Sequence, residues 1–138
     1  MKGEPSLINT PTLGFDYSPR TILLSDGSAV NCQILDTSGQ ERYNSLNQSY
    51  YRNADAILLV YDISNRNSFD TIQNYYIDKI KELCKKDIPI ILLGNKTDKE
   101  NERKVMQEEG IALSVSYNFK FKETSCKKMK TLLMLLKF

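Results

Sequence analysis

Histidine and tryptophan are absent from this chain, and only three cysteines, six glycines and four prolines occur in its 138 residues. Without histidine, imidazole acid–base chemistry and the commonest transition-metal ligand are excluded. Cys32, Cys84 and Cys126 have neither metal-type nor paired spacing, so they read as reduced thiols of a cytosolic protein. Long apolar runs are missing as well. The longest, residues 56–61 and 132–136, are far too short to span a bilayer. The lysines beside the second run suit an anionic membrane surface, but a core helix accounts for it better. The polar opening with Pro5 argues against a secretory signal. A net charge of only +2 gives no electrostatic ground for a nucleic-acid partner. The glycines stand at 3, 14, 27, 39, 94 and 110, with no two five apart. A Gly-x-x-x-x-Gly-Lys-Ser/Thr loop, whose amides wrap phosphates, is therefore not in this sequence.

What is present gathers where apolar runs end. Ile34-Leu35 leads directly into Asp36-Thr37-Ser38-Gly39-Gln40-Glu41-Arg42, which turns polar and helix-prone. An aspartate at the carboxyl end of a buried strand can reach a phosphate-bound Mg²⁺, usually through water. Gly39 lets a backbone N–H approach a terminal phosphate where a Cβ would obstruct it. Gln40 can orient an attacking water without carrying charge. Two further motifs follow strand-like runs. Gly94-Asn95-Lys96-Thr97-Asp98 comes after residues 88–93, and Glu123-Thr124-Ser125-Cys126-Lys127 after Phe119-Lys120-Phe121. A strand-to-loop turn with solvated charge explains any one of them. Three in this order are harder to dismiss, since a given four-residue string recurs by chance in about one such chain in a thousand.

In this order the motifs resemble those of Ras-like small GTPases and, within that superfamily, of the Rab branch. Thr12-Leu13-Gly14-Phe15-Asp16-Tyr17 is similar to Rab switch I, and Glu41-Arg42-Tyr43-Asn44-Ser45-Leu46 with Tyr50-Tyr51-Arg52 to switch II and its exit. Tyr61-Asp62-Ile63-Ser64 with Ser68-Phe69 is similar to the next Rab strand and helix start. The resemblance covers residues 1 to about 127. It implies an α/β, Ras-like P-loop NTPase fold: three α/β/α layers and a largely parallel sheet with one antiparallel edge hairpin. Residues 1–138 would form a single G domain, a guanine-nucleotide switch of vesicle and protein transport. GTP or GDP and Mg²⁺ would be its cofactors. Effector, exchange-factor and GTPase-activating proteins would be its partners, on the cytosolic face of endomembranes.

Carried over residue by residue, the resemblance gives GTP contacts to Thr12, Asp36, Gly39, Asn95, Lys96, Asp98, Ser125, Cys126 and Lys127. Thr12 and, through water, Asp36 would hold Mg²⁺, and Gln40 would be catalytic. The Asp98 carboxylate would accept hydrogen bonds from the N1–H and N2 amine of guanine, a donor pair that adenine lacks. The Lys96 stem would lie along the purine and Asn95 would tie loops together. The amide near Cys126 would reach the guanine O6, with Lys127 covering the base from the other side. Tyr17, Leu35 and Tyr50 would form the effector face, although ordinary packing explains these three equally well. Ser38 and Cys126 stand where the family usually has alanine, and Leu35 where Rabs mostly have tryptophan.

Against that pattern, Lys2-Gly3-Glu4 looks like the tail of the family's first helix, so the first strand, the phosphate loop and most of helix 1 are expected to be absent. The sequence stops at Phe138 without the C-terminal cysteine that would carry a lipid anchor. The absent strand would lie between the second hairpin strand and residues 54–63. Its loss would either let those strands pair or leave a gap, and buried unpaired backbone groups at about 1–3 kcal/mol each imply a marginal, aggregation-prone chain. Three readings stay open on sequence alone: a Rab-like GTPase, a nucleotide-blind effector-binding module, and a non-functional fragment.

The coarse pattern alternates strands and helices. Residues 15–24 and 29–35 form a hairpin about Asp26-Gly27, a two-residue turn signal. Residues 54–63 are nearly all apolar, as for a strand covered on both faces. Phe69, Ile72, Tyr76, Ile80 and Leu83 recur at helical spacing within residues 67–85. Residues 88–93 and 119–121 read as strands, 102–117 as a helix interrupted at Gly110, and 127–138 as a terminal helix. All three motifs then fall at carboxyl ends of strands, where open α/β sheets bind ligands.

Overall fold

The apolar runs around residues 60 and 90 pair with each other, and that pairing organises most of the chain. In the computed structural model, which describes residues 15–37, 44–85 and 87–125, the chain divides into two units at Tyr43/Asn44.

The first unit contains the hairpin of β1 (Phe15–Leu23) and β2 (Ala29–Thr37), antiparallel with Leu23 opposite Ala29 and Phe15 opposite Thr37. Its turn is longer than the two-residue form expected from Asp26-Gly27. Leu24 N–H donates to the Ser28 carbonyl at 2.8 Å and Gly27 N–H to the Leu24 carbonyl at 3.1 Å, leaving Ser25, Asp26 and Gly27 as the loop. Gly27 takes φ 84°, the left-handed residue that closes a three-residue loop. Asp26 fixes the exit by accepting from the Ser28 amide at 2.9 Å and hydroxyl at 2.6 Å.

The second unit runs α1 (Asn44–Asn53), β3 (Ile57–Asp62), α2 (Arg66–Thr71), a π-helical stretch (Ile72–Tyr76), α3 (Ile77–Leu83), β4 (Ile90–Asn95), a 3₁₀ helix (Thr97–Glu102), α4 (Gln107–Tyr117) and β5 (Lys120–Glu123). Its sheet has the order β3-β4-β5, parallel throughout, with Val60 opposite Leu93 and Leu93 opposite Lys122. Helices, a parallel three-stranded sheet and an antiparallel strand pair are the elements expected of the α/β fold.

Strand β3 departs from expectation too. Leu59 and Tyr61 are buried, whereas Leu58 and Val60 remain 52% and 47% exposed, so only one face is covered. The covered face packs with Ile63, Phe69, Ile72, Ile77, Ile80, Leu92, Val105 and Leu113 into the core. Each such burial contributes about 1.5–3 kcal/mol. Phe69 meets the Tyr61 ring edge-on at 4.9 Å. Helix α2 starts where Asn65, with extended backbone, accepts from the Asn67 amide at 3.1 Å.

Gly110 does not interrupt α4. It sits inside the helix because a Cβ there would run into the Phe121 ring and lie 2.8 Å from the Tyr61 hydroxyl. The absent side chain lets α4 press onto β5. Asn118 then ends the helix in the left-handed region at φ 55°, and the Phe119 amide returns to the Ser114 carbonyl at 2.8 Å. Among the described residues no helix is long and apolar enough to cross a membrane. The 127–138 helix lies outside them.

Candidate base-binding site

Two of the sequence motifs meet at the carboxyl ends of adjacent strands. β4 ends at Asn95 and β5 at Glu123, and the backbone carries their pairing one step further, with the Thr124 N–H donating to the Gly94 carbonyl at 2.8 Å. The Thr124 carbonyl in turn accepts from the Thr97 N–H at 3.1 Å. On the other side, the Ile63 N–H donates to the Asn95 carbonyl at 3.1 Å, and the Ile63 carbonyl accepts from the amides of Lys104 (2.8 Å) and Val105 (3.1 Å). Three loops are therefore joined through main-chain groups alone.

Lys96 turns the chain out of β4. It holds φ 68° and ψ 39°, a left-handed conformation uncommon for lysine. Asn95 Oδ1 steadies it by accepting from the Lys96 amide at 2.7 Å, and the Lys96 carbonyl accepts from the Lys99 amide at 2.8 Å. Its side chain reaches back to the end of β3, where Lys96 Nζ lies 2.7 Å from Asp62 Oδ2. The other Asp62 oxygen accepts from the Ser64 amide at 2.8 Å and hydroxyl at 2.6 Å. Partial burial alone would raise the Asp62 pKa, but the Lys96 and Ser64 donors outweigh it and hold the carboxyl below its usual range.

Asp98 follows in the 3₁₀ helix, at the protein surface. Its Oδ1 accepts a hydrogen bond from the Ser125 hydroxyl, and Ser125 itself is only 2% exposed. A buried serine thus fixes the orientation of an exposed carboxylate. Gly94 stands directly beneath, where a Cβ would lie 2.9 Å from the Tyr61 hydroxyl. Burial raises the Tyr61 phenol pKa strongly, and among the described residues neither the Tyr61 hydroxyl nor the Thr124 Oγ1 finds a hydrogen-bond partner.

The structure brings Asn95, Lys96, Asp98 and Ser125 together. Thr12, Gly39, Gln40, Cys126 and Lys127 lie outside the described residues. Asp36, Tyr17 and Leu35 belong to the hairpin unit, with Asp36 opposite Asp16 and Tyr17 opposite Leu35 in its register. Leu35 is half-buried there. Tyr50 is an exposed residue of α1, in the other unit.

Two participants were not among the expected site residues. Asp62 reads as an ordinary strand-end aspartate until Lys96 is seen against it. Arg103 sits in the charged run Glu102-Arg103-Lys104 and gives no motif, yet its guanidinium is only 11% exposed and grips Glu123 at 2.7 and 2.8 Å. Burial at helical spacing would not have found it either, because the segment is irregular.

A parallel sheet with polar loops gathered at its carboxyl ends is the class of architecture that holds nucleotides. The model of the Ras family matches residues 6–136 of this chain. The Ras-related proteins Rab-8B of human and of Pongo abelii, and Rab-8A of cattle, are each 47% identical to it over 116 residues. Those residues are 84% of this chain and 55% of each relative, so the chain spans about half the length of the curated relatives it matches. The chain belongs to the Ras family, and these relatives put it in the Rab branch.

Proposed function

We propose that this chain serves as a Rab-type guanine-nucleotide switch in vesicle transport, acting on the cytosolic face of endomembranes. The observation that carries the reading is the Ser125–Asp98 hydrogen bond, which joins the two base-side motifs and aims the carboxylate. A fixed carboxylate beside the Lys96 stem suits a ring edge that offers two adjacent N–H donors, which guanine has and adenine lacks. Lys96 and Asn95 shape the face against which the purine lies, while the Cys126 amide and Lys127 complete the pocket. On the phosphate side, the Gly39 amide would meet a terminal phosphate, and Thr12 and, through water, Asp36 would hold Mg²⁺, which would supply charge neutralisation for the phosphates. Gln40 orients the attacking water, and Tyr17, Leu35 and Tyr50 belong to the face that effectors read. Exchange factors and GTPase-activating proteins complete its partners.

Titration with labelled GDP and ADP tests the base assignment. The parent should prefer GDP, and Asp98→Ala should abolish the preference, because losing a site's hydrogen-bond partner can cost about 10⁴-fold in discrimination. Equal affinity of the parent for both nucleotides would refute it.

A further inference from the structure

We propose that Arg103 is a positioning residue for base recognition, clamping the segment that carries Asp98 to the segment that carries Ser125. This rests on the base-site reading above and deepens it. Arg103 Nε donates to Glu100 Oε1 at 2.7 Å and Nη2 to Glu100 Oε2 at 2.7 Å. On its other side Nη1 donates to Glu123 Oε1 at 2.7 Å and Nη2 to Glu123 Oε2 at 2.8 Å. The remaining Nη1 hydrogen goes to the Val105 carbonyl at 2.9 Å. All five N–H donors of the guanidinium are thereby engaged.

The two carboxylates are placed to matter. Glu100 lies two residues beyond Asp98, across a kink at Lys99 in the 3₁₀ segment, and Glu123 lies two residues before Ser125 at the end of β5. One planar cation therefore fixes the spacing between the Asp98 carboxylate and the hydroxyl that aims it. Arg103 and Glu123 are each only 11% exposed, so their pair is shielded from water while Glu100 is not. A lysine could bring the charge but not two forks at once. Base selectivity depends on placing the carboxylate to within a fraction of an ångström, which makes the clamp a selectivity device as well as a structural tie. By contrast, Arg66 links Asp70 and Glu109 and meets neither motif.

The test uses the full chain with Arg103→Lys, Glu123→Gln and the surface variant Glu100→Gln, which perturbs the clamp least. GDP affinity should fall about tenfold in Arg103→Lys and Glu123→Gln, while ADP affinity, which does not use the Asp98 pair, should hold within about twofold. Amide hydrogen exchange gives a ligand-free measure. Thr97 and Thr124 should exchange about tenfold faster in Glu123→Gln, with Leu92 and Leu93 in central β4 unchanged. General destabilisation would instead raise all four together and weaken both nucleotides alike, and that pattern would overturn the proposal. A guanine-selective parent whose variants keep the parent's GDP-to-ADP ratio would overturn the role of Arg103 and leave the base site standing. A parent without guanine preference would overturn the base site and the clamp with it.

Discussion

Replacing Gly110 by alanine sets two effects of opposite sign against each other at one atom. In an exposed helix interior Gly→Ala stabilises by about 1 kcal/mol, through propensity and a less flexible unfolded chain. At position 110 the new Cβ would run into the Phe121 ring and lie 2.8 Å from the Tyr61 hydroxyl, closer than real Cβ atoms come to a neighbour. Overpacking of this kind costs about 1–3 kcal/mol per forced shift, and here two aromatic side chains must give way. Tyr61 is 1% exposed and its ring already packs on Phe69, so it has little room. The net expectation is destabilisation by about 1–5 kcal/mol, or roughly 3–15 °C in Tm at about 3 °C per kcal/mol. Urea denaturation would measure it, and the double variant with Phe121→Leu would locate its cause. If the ring is the obstacle, Gly110→Ala should cost at least about 1 kcal/mol less in the Phe121→Leu background. A stabilised single variant, or strict additivity in the pair, would refute the view that the glycine exists for close helix–strand approach.

Tyr61→Phe removes a buried hydroxyl that has no partner among the described residues, so stability should hold or rise by up to about 1 kcal/mol in thermal melts, and a loss of more than that would refute the reasoning. Asp62→Asn tests the pair with Lys96. The folded pKa of Asp62 lies below its unfolded value near 3.8, so its contribution is complete above that value and is lost as pH falls through the folded one. Denaturation followed from pH 6 downward should therefore show a variant about 1 kcal/mol less stable at the top of the range, converging on the parent in acid. With the family's first strand and phosphate loop joined ahead of these residues, Gln40→Leu should leave GTP affinity near the parent's and slow single-turnover phosphate release by about a hundredfold, since leucine keeps the bulk but cannot orient water.

The sequence made some of this architecture legible and hid the rest for identifiable reasons. The hairpin, the strands near residues 60 and 90 and the long helical stretch after Asn65 followed from apolar runs and turn residues, because those signals are local. That Asn95, Lys96, Asp98 and Ser125 would lie together was legible because their motifs follow strand-like runs in a recognisable order. The burial of β3 was misjudged because an all-apolar strand reads the same whether one face is covered or two, as exposed Leu58 and Val60 show. Gly110 read as an interruption because propensity is counted along the chain, whereas the ring that requires the glycine comes eleven residues later. Arg103 stayed hidden because its partners, Glu100 and Glu123, come from opposite sides of α4, and an arginine between two acids has no periodic signature.

The main-chain bonds through Ile63, Asn95, Thr97, Lys104, Val105 and Thr124 bear on how such a site endures sequence drift. Carbonyls and amides are common to nearly every residue type, so the loops keep their relative placement while most side chains around them change. Selectivity can then be altered by exchanging one or two groups on an unaltered frame. The vulnerability moves to a different kind of substitution. Proline at Ile63, Thr97, Lys104, Val105 or Thr124 would delete a donor from this frame, however well its size suited the surroundings. Codon changes that introduce proline there should be the most depleted class in a saturation library selected for folding, ahead of charge reversals at Asp98 itself.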